Sequence, residues 1–523
     1  MRRITVAARV EFPLRSPSTT VNAASWDGDA AVVKSAAIEL VDLSVAIAAE
    51  ITAHPASVAI DEVAYDSRDV PAGSVFVCVP GQEVDGHTFA EAAVDAGAVA
   101  LIVERELEYD VPQLIVKDSR RAMGLAADAV YGAPTRDIEL VGVTGTNGKT
   151  TTTFLVYAIL AAAGRRPGLL GTIERRIGGE RRGAVRTTPE AADLQRAFAE
   201  IRDAGDRSCA MEVSSHAAAM QRLVATRFRV LAFTNLTQDH LDFHRSMDAY
   251  FQAKRDPFFA QDEAGNRPHA AVNVGDPYGK QLAEELGTIG SRVVTFSLDS
   301  PADISPDEIL IEWQGTSLVV GDLAVRSELR GRFNAENLLA AIAIARLLDI
   351  PDDMTKRGLE HVKGVPGRFE AIKHDRPFTV IVDYAHTPDA LATVLRSARA
   401  ICDGSLICLF GCGGERDPSK RAPMGETASE LADHVIVTSD NPRSERAEAI
   451  IEDILDGIVG PSHVEVDRGK AIEQAIGLAA PGDVVILAGK GHETGQEIDG
   501  TVTPFDDREI VSAVLEREGR SSS

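Results

Sequence analysis

The amino-acid sequence predicts an α/β protein built from more than one domain. Short β-rich runs alternate with helical stretches along most of the chain, and this alternation is typical of parallel sheets with helices on both faces. A chain of 523 residues is too long for one hydrophobic core, so two to four domains are expected. Turn-rich segments at YGAPTRDIEL and KGVPGRFE interrupt the alternation and predict domain boundaries.

Individual elements follow from the hydrophobic pattern. Residues 1–35 carry many Ser, Thr and Ala residues without periodicity, so we expect a poorly ordered extension. GSVFVCVPG (73–81) and GAVALIVER (97–105) predict buried strands with a helix between them. LVGVTG, CAMEV and VLAFTN predict further strands, NAENLLAAIAIARLLDI predicts a long helix, and FTVIVDYA, SLICLFG, HVIVTSD and DVVILAG predict a last sheet. Ligands of such sheets gather at the carboxyl ends of the strands.

Composition and cysteine usage narrow the class of protein. Against 79 Asp and Glu residues there are 54 Lys and Arg residues, a net charge of −25, so neither nucleic acid nor an anionic membrane is expected as a partner. No apolar run approaches the 18 residues that predict a membrane span. Free thiols are typical of a reducing cytosol, and a cytoplasmic location is therefore expected. The cysteines lack zinc-site spacing and are Cys78, Cys209, Cys402, Cys408 and Cys412.

The motif VGVTGTNGKTTT follows an apolar strand and predicts a phosphate-binding loop. Gly145 and Gly148 allow backbone amides to approach a phosphate, Lys149 supplies a charge, and the Thr150 hydroxyl can bind Mg²⁺. The general Walker pattern requires glycine where this chain has Val143, which indicates a particular subfamily. The alternative is a Gly-rich turn with a solvated lysine, but strand, loop, lysine, threonine and helix all occur in order.

Two strand ends downstream carry candidate metal ligands. CAMEVSSHA places Glu212 at the end of one strand, and FTNLTQDHLDFH places Asp239, His240, Asp242 and His244 after another. Carboxylate oxygens suit Mg²⁺, and neither stretch has the spacing of a zinc site. An Asp-His pair in a loop is usually polar surface. Two such strand ends behind a phosphate loop nevertheless favour metal binding.

Six motifs, in order, resemble the Mur ligases of peptidoglycan synthesis. They are VGVTGTNGKTTT, MEVSSHA, TNLTQDHLDFH, GRFNAENLLAA, VPGRFE and VDYAHTPDAL. Two more, GCGGERDPSKR and SDNPRSE, resemble the members that add the third residue of the stem peptide. The resemblance covers roughly residues 60–510, and agreement of eight ordered motifs is far more specific than any single match.

The resemblance implies three domains. Residues 36–137 would form a small N-terminal α/β domain for the uridine nucleotide, and residues 138–364 a central ATP-binding domain with a P-loop ATPase-like parallel sheet. Residues 365–523 would form a Rossmann-like, doubly wound domain for the amino acid. The implied partners are ATP, UDP-N-acetylmuramoyl-L-alanyl-D-glutamate and a diamino acid, with Mg²⁺ as cofactor, and we expect a monomer. The implied reaction forms an amide through an acyl phosphate.

The resemblance also assigns residues to ATP, metal and catalysis. The implied ATP contacts are Gly145, Thr146, Asn147, Gly148, Lys149, Thr150, Thr151, Asn334, Asn337, Arg368 and Asp383. The implied metal ligands are Thr150, Glu212, His240 and Lys254, and the implied catalytic residues are Lys149, His240 and Lys254. Lys254 in YFQAK would be carbamylated, which turns a cation into an anion able to hold metal. Without the resemblance, Lys254 would be an ordinary surface lysine.

For the muramoyl substrate, the resemblance implies a set of contacts with one departure. These contacts are Ser67, Gln82, Glu83, Val84, Thr187, Thr188, Ser214 and Arg222. The family usually has Gln six residues after the first serine of SSH, where this chain has Met220 followed by Gln221. Either Gln221 replaces it through a local shift, or one hydrogen bond is absent.

For the diamino acid, the resemblance implies a third set of contacts. They are Arg416, Asp440, Asn441, Pro442, Arg443, Gly489 and Glu493. Arg443 offers a bidentate fork suited to the second carboxylate of meso-diaminopimelate, and DNPR resembles the form found in diaminopimelate-adding members. We therefore predict meso-diaminopimelate, with L-lysine, ornithine or another diamino acid as the alternative.

Other functions fit the sequence less well. Folylpolyglutamate synthase shares the ATP-binding fold, but DNPRSE and YDSRD argue against it. A nucleotide-binding regulator without activity is disfavoured by the intact Lys149, Glu212, His240 and Lys254. A simple hydrolase or kinase has no need of a second substrate domain and an amino-acid domain.

Overall fold

The computed structural model describes residues 37–52, 57–81 and 84–521. The expected extension at 1–35 and two predicted substrate contacts, Gln82 and Glu83, lie outside the described residues. Among the described helices, none is both long and apolar enough to cross a membrane. Four short 3₁₀ turns accompany the elements given below, at Gly86–Phe89, Pro134–Arg136, Asp256–Phe259 and Pro418–Lys420.

The N-terminal part is a small α/β layer with a five-stranded sheet. Its elements are β1 (Ile38–Glu39), α1 (Leu40–Ala46), β2 (Glu50–Ile51), β3 (Ala59–Ile60), β4 (Glu62–Ala64), β5 (Ser74–Val77), α2 (Ala90–Ala96), β6 (Ala100–Val103), β7 (Gln113–Ile115) and α3 (Ser119–Val130). The sheet order is β2-β7-β6-β5-β4, with β4 to β7 parallel and β2 antiparallel. Both strands predicted here are present, as β5 and β6, and both are fully buried, as their unbroken apolar runs require.

The central part contains an eight-stranded sheet and a smaller antiparallel sheet. Its elements are β8 (Glu139–Thr144), α4 (Lys149–Ala162), β9 (Pro167–Leu170), β10 (Glu174–Ile177), β11 (Glu180–Gly183), α5 (Ala191–Asp203), β12 (Ser208–Glu212), α6 (Ser215–Ala219), β13 (Val230–Phe233), α7 (Leu241–His244), α8 (Met247–Arg255), β14 (His269–Asn273), α9 (Pro277–Thr288), β15 (Val293–Phe296), β16 (Glu308–Glu312), β17 (Gly315–Val320), β18 (Leu323–Ser327), α10 (Arg332–Leu347) and α11 (Asp352–His361). The large sheet has the order β11-β10-β9-β12-β8-β13-β14-β15.

Six strands of the large sheet are parallel, and side chains alternate between its two faces. Val141 and Val143 of β8 join one hydrophobic core with α4, α10 and α11, whereas Leu140 joins the core on the opposite face. The strands β8, β12 and β13 therefore end side by side, and the loops that follow them meet at one edge.

The sequence analysis did not predict the antiparallel additions to this region. Strands β10 and β11 form a hairpin because Gly178 (φ 58°) and Gly179 (φ 86°) supply the left-handed conformations of a two-residue turn. Strands β16 to β18 form a separate antiparallel sheet, in which buried and more exposed positions alternate along β17 and β18. Such half-polar strands lack the continuous apolar runs from which the other strands were predicted.

The C-terminal part is a doubly wound layer around a six-stranded sheet. Its elements are β19 (Glu370–Ala371), β20 (Thr379–Asp383), α12 (Pro388–Arg399), β21 (Leu406–Phe410), α13 (Arg421–Leu431), β22 (His434–Val437), α14 (Ala447–Leu455), β23 (His463–Val464), α15 (Arg468–Leu478), β24 (Val484–Ala488), β25 (Gly495–Ile498), β26 (Thr501–Pro504) and α16 (Asp507–Ser521). The order is β19-β20-β24-β21-β22-β23, parallel except for β19. Strands β25 and β26 form a separate hairpin.

A fully buried ion pair joins the helices and strand ends of the C-terminal layer. Arg468, at the start of α15, donates to Asp507 of α16 at 2.8 and 2.6 Å, and both side chains have no exposed surface. The same guanidinium donates to the carbonyl of Ala488 at 3.0 Å, at the end of β24, and to that of Ser439 at 3.4 Å, just beyond β22. The pair therefore fixes two strand ends as well as two helices.

Removing one member of this pair should destabilise the C-terminal layer strongly. Arg468→Met leaves Asp507 buried without its partner, a change that costs about 3–5 kcal/mol, whereas replacing both residues by apolar ones is close to neutral. Hydrogen exchange of the amides in β22 and β24 should be faster in Arg468→Met and largely restored in the Arg468→Met/Asp507→Leu double variant. Exposed Lys470→Met on α15 is the matched control, and equal exchange in all variants would contradict the role of the pair.

Candidate active site

The loop between β8 and α4 has the shape that its glycines allow. Gly145 and Gly148 have φ of 148° and 87°, which L side chains rarely adopt. A Cβ atom at Gly145 would lie 1.9 Å from Thr234 Oγ1, and one at Gly148 would lie 2.4 Å from Asn337 Oδ1. The loop thus packs against the end of β13 and the second turn of α10. Its backbone leads directly into α4, whose first amides are available to an anion.

Two lysine side chains converge on one carbonyl oxygen of this loop. Lys149 Nζ donates to the carbonyls of Gly145 (2.9 Å) and Thr146 (2.8 Å), and Lys254 Nζ donates to Gly145 at 2.7 Å. Lys254 also lies 4.6 Å from the ring centroid of Tyr250 and is 2% exposed, so it is no ordinary surface lysine. Burial, followed by the charge of Lys149, holds the pKa of Lys254 well below its usual value.

Oxygen donors gather beside the loop at the end of β12. Glu212 is 1% exposed and accepts from the hydroxyl of Thr150 at 3.0 Å. It also accepts from the backbone amide of Thr172 (2.7 Å) and from its hydroxyl (3.1 Å). In the described ranges no three His, Cys, Asp or Glu side chains are arranged as a metal site. The hydroxyl and carboxylate fit Mg²⁺, which keeps several phosphate or water oxygens as ligands.

The loop after β13 forms a cluster of histidines next to Lys254. The ring of His216 lies 4.7 Å from that of His240 and 5.5 Å from that of His244. Burial lowers the pKa of His240 to about 3, opposed by Asp239, and burial with the neighbouring cations lowers the pKa of His244 to about 4. These imidazoles are therefore neutral at physiological pH, the form that binds metal.

A cavity of about 100 Å³ lies between the loop and the C-terminal layer. It is lined by Gly148, Thr151 and Asn337 on the loop side and by Arg368 and Asp383 on the other. The sequence analysis assigned all five to ATP. The apolar part of the lining, which it missed, comes from Phe296, Phe333 and Val394. A purine fits such a lining of aromatic, aliphatic and amide groups.

Two predicted ATP residues, Asn334 and Asp383, orient neighbouring groups of the cavity by hydrogen bonds. Asn334 is not part of the cavity lining and instead accepts from Asn337 Nδ2 at 3.0 Å, which orients that amide. Asp383 accepts from the backbone amides of Phe369 and Ala385, each at 2.7 Å, and so holds the segment that carries Arg368.

The central and C-terminal parts meet across the cavity. Arg368 Nη2 donates to the hydroxyl of Thr150 at 3.2 Å, and Asn147 Nδ2 lies 3.4 Å from Asp389 Oδ2 at the start of α12. The loop at the carboxyl edge of the central sheet therefore contacts residues at the carboxyl edge of the C-terminal sheet. A ligand on one edge is within reach of the other.

Four of the predicted muramoyl contacts lie together beyond β12. The hydroxyl of Thr188 donates to the Glu212 carbonyl at 2.8 Å and accepts from the Ser214 amide at 3.1 Å, while Arg222 donates to the Thr188 carbonyl at 3.1 Å. The hydroxyl of Thr187 lies 3.0 Å from that of Thr172. These predicted residues therefore border the candidate metal ligands.

The two remaining muramoyl residues that the structure describes lie on the N-terminal part. Ser67 is in the loop after β4, and Val84 is half-exposed in the loop before α2. Gln221, the possible substitute in the departing motif, donates to Asp118 at 2.8 Å. Met220 contacts Arg222 through its sulfur at 3.4 Å. Gln221 thus ties α3 to the loop after α6 in this conformation.

The predicted diamino-acid residues come together at three strand ends of the C-terminal sheet. Arg443, in the loop after β22, donates to the Gly414 carbonyl at 2.5 Å, and its Nε lies 3.3 Å from the Glu497 carboxylate. Asn441 donates to Glu493 at 2.8 Å. The loops after β21, β22 and β24 carry the whole predicted set, namely Arg416, Asp440, Asn441, Pro442, Arg443, Gly489 and Glu493.

Three parts of the chain match family models of one enzyme family. Residues 59–132 match the model described as the Mur ligase family catalytic domain, residues 143–345 match the Mur ligase middle domain, and residues 367–491 match the Mur ligase glutamate ligase domain. The chain belongs to the Mur ligase family. This confirms the resemblance that the eight motifs indicated.

Curated relatives of this Mur ligase are similar over almost the whole chain. A protein of Halalkalibacterium halodurans named UDP-N-acetylmuramoyl-L-alanyl-D-glutamate–2,6-diaminopimelate ligase is 44% identical over 470 residues, covering 89% of this chain and 96% of the relative. A protein of Aquifex aeolicus with the same name is 42% identical, covering 87% of this chain and 94% of the relative.

Solved structures confirm the predicted α/β class and the three-domain architecture. A structure of a protein with the same name superposes with a TM-score of 0.66 at 31% identity, covering 92% of this chain and 99% of that chain. A folylpolyglutamate synthase from Mycobacterium tuberculosis, complexed with ADP and AMPPCP, has a TM-score of 0.57 at 17% identity, covering 76% of this chain and 94% of that chain. The second likeness concerns the fold alone.

Two residues that contact the site, Thr172 and Lys490, were not predicted from the sequence. Thr172, on the loop after β9, has no sequence motif around it. It hydrogen-bonds to Glu212 because β9 and β12 are neighbours in the sheet. Lys490, between two predicted contacts in GKGHE, is fully buried and donates to Asn441 at 3.0 Å. Its position in the sequence between two predicted contacts, Gly489 and Glu493, could have indicated that it belongs to this site.

Because these histidines are neutral in the folded protein, we expect this Mur ligase to lose stability on mild acidification. His244 has a folded pKa of about 4, below the ordinary 6.5, so the unfolded chain binds more protons between these values and unfolding is favoured as pH falls through them. The Tm of the wild-type protein should drop from pH 7 to pH 5. His244→Gln, which keeps a polar group beside Ser215 Oγ, should show a shallower drop. Parallel pH profiles of Tm would contradict this assignment.

Proposed function

We propose that the chain is an ATP-dependent ligase that joins meso-diaminopimelate to UDP-N-acetylmuramoyl-L-alanyl-D-glutamate. The observation that carries the proposal is the position of Arg443 beside the Gly414 carbonyl and the Glu497 carboxylate, on the C-terminal edge that contacts the phosphate loop. The names and 40–44% identity of the relatives supply the substrate class. We also propose the domain limits 36–137, 138–364 and 365–523, since each limit falls between the elements given above.

The main physical difficulty of the reaction is charge repulsion. A substrate carboxylate must attack the γ-phosphorus of ATP, breaking the bond to the β–γ bridging oxygen and releasing ADP. The chain offers Lys149 and the first amides of α4 to the phosphates, with Arg368 reaching the same place from the opposite side. The amine of the diamino acid then attacks the acyl phosphate carbon, loses a proton and expels inorganic phosphate.

Mg²⁺ would be held by Thr150 and Glu212, together with His240 and a modified Lys254. When bound, it would neutralise phosphate charge. The neutral imidazole of His240 is in the protonation state that such binding requires, and the carboxyl oxygens of Glu212 are of the kind that Mg²⁺ prefers. Thr172 acts in support, because it fixes the orientation of the Glu212 carboxylate.

Lys254 is proposed to carry a carbamate. A neutral amine attacks the carbon of CO₂ and loses a proton, and burial beside Lys149 favours the neutral amine of Lys254. The product is an anion next to a buried cation, which removes the repulsion between the two lysines. It would also add an oxygen ligand near Glu212, where the described chain supplies few.

Substrate selection is proposed to depend on Arg443 at one end and on the residues beyond β12 at the other. The Arg443 guanidinium suits the far carboxylate of meso-diaminopimelate, which lysine and ornithine lack. Thr187, Thr188, Ser214 and Arg222 border Glu212, as contacts to a carboxylate-bearing substrate require. We propose a monomer in the cytoplasm, where the five unpaired cysteines would stay reduced.

A substrate panel tests this function. With ATP, Mg²⁺ and the UDP-muramoyl dipeptide, phosphate release should require a diamino acid and be fastest with meso-diaminopimelate. L-Lysine and L-ornithine should be slower by about 100-fold or more in kcat/KM, because neither offers a second carboxylate to the Arg443 guanidinium. Omitting the dipeptide is the control, and it should abolish turnover.

Each alternative function has its own signature in this panel. Equal rates with L-lysine would replace the diaminopimelate assignment by a lysine ligase. Phosphate release without an amino acid would indicate a hydrolase. No turnover under any condition would favour a nucleotide-binding protein without activity.

A further inference from the structure

Lys490 is a fully buried cation that none of the predicted contacts includes. It lies in the loop after β24, and its side chain has no exposed surface. Its Nζ donates to Asn441 Oδ1 at 3.0 Å and to Glu493 Oε2 at 3.2 Å, and lies 3.9 Å from Asp440 Oδ1. Three ammonium hydrogens thus face three acceptors, each of them on a residue of the predicted diamino-acid set.

The contacts of Lys490 determine how Asn441 is oriented. Asn441 Oδ1 accepts from Lys490 and also from the backbone amide of Glu497 at 3.1 Å. With its oxygen fixed by two donors, the amide must direct Nδ2 to Glu493 Oε2, at 2.8 Å. The Asn441 amide is thus fixed through both its oxygen and its nitrogen, and Lys490 is the charged donor to the oxygen.

Lys490 also fixes the carboxylate of Glu493. Glu493 Oε2 is occupied by Asn441 and Lys490, which leaves Oε1 without a hydrogen-bond partner among the residues described. Asp440 Oδ1 lies 3.9 Å from the same ammonium group, so the buried lysine lies between two acidic side chains and offsets their mutual repulsion. The oriented Glu493 carboxylate can accept from the ammonium group of a ligand through Oε1.

We propose that Lys490 is a positioning residue for the diamino acid: it fixes the amide of Asn441 and the carboxylate of Glu493, so that Glu493 Oε1 meets a ligand ammonium group. The proposal rests on the proposed function. It predicts a defect confined to one substrate, because the contacts of Lys490 lie on the three C-terminal loops and not on the phosphate loop.

Steady-state kinetics of Lys490→Met test this role. The KM for meso-diaminopimelate should rise by about ten-fold or more, since a charged hydrogen-bond partner is lost. The KM values for ATP and the UDP-muramoyl dipeptide should stay within about two-fold, as expected for loss of binding to one substrate. Exposed Lys470→Met removes the same charge from the same domain and should leave all three KM values unchanged. Should Lys490→Met not fold, Lys490→Gln keeps a donor and should show the same selective rise.

A double variant separates positioning from simple structural support. If Lys490 acts through Glu493, then Lys490→Met added to Glu493→Gln should raise the KM for meso-diaminopimelate far less than it does in the wild-type protein. Independent, multiplying effects would overturn the proposal. An unchanged or lowered KM in either Lys490 variant would also overturn it, because the lysine would then only balance charge. An inactive wild-type enzyme would instead refute the proposed function, and this inference with it.

Discussion

The carbonyl oxygen of Gly145 is the point on which the central site depends. Lys149 and Lys254 both donate to it, from the helix after the loop and from a helix about a hundred residues later. Two ammonium groups at one buried oxygen repel each other, so one amine must be neutral or modified. Lys149, which belongs to the general phosphate-loop pattern, is thereby coupled to Lys254, which does not.

The rest of the architecture brings other charges to this point. Parallel strands β8, β12 and β13 end together, which places Glu212 and the histidine loop beside the two lysines. The C-terminal layer adds Arg368 from the opposite side. A second, separate set of charges surrounds Arg443 and Lys490 at the ends of β21, β22 and β24. We propose that the two sets serve the two stages of ligation, activation of a carboxylate and attack by an amine.

Candidate residues at the ends of strands were the ones whose positions could best be predicted from the sequence. The phosphate loop, Glu212 and the DNPR segment each come directly after a β-rich run, so their meeting at sheet edges could be predicted. The positions of buried charged side chains were predicted less well. Arg468, Lys490 and Lys254 are residue types that usually lie on surfaces, and their burial follows from partners that are distant in sequence. The hairpin at Gly178 and Gly179 had a turn signal, but its strands are rich in charge and lack an apolar run.

The most direct measurement is a search for the proposed carbamate on Lys254 with ¹³C-labelled bicarbonate. The full-length protein, incubated with labelled bicarbonate at slightly alkaline pH, should show a ¹³C carbamate resonance by NMR. This resonance should be present in the wild-type protein and absent in Lys254→Met, because the proposed carbamate is on Lys254, whereas Lys149 Nζ donates to the carbonyls of Gly145 and Thr146. A wild-type spectrum without the resonance, or one that persists in Lys254→Met, would contradict the account of the two lysines.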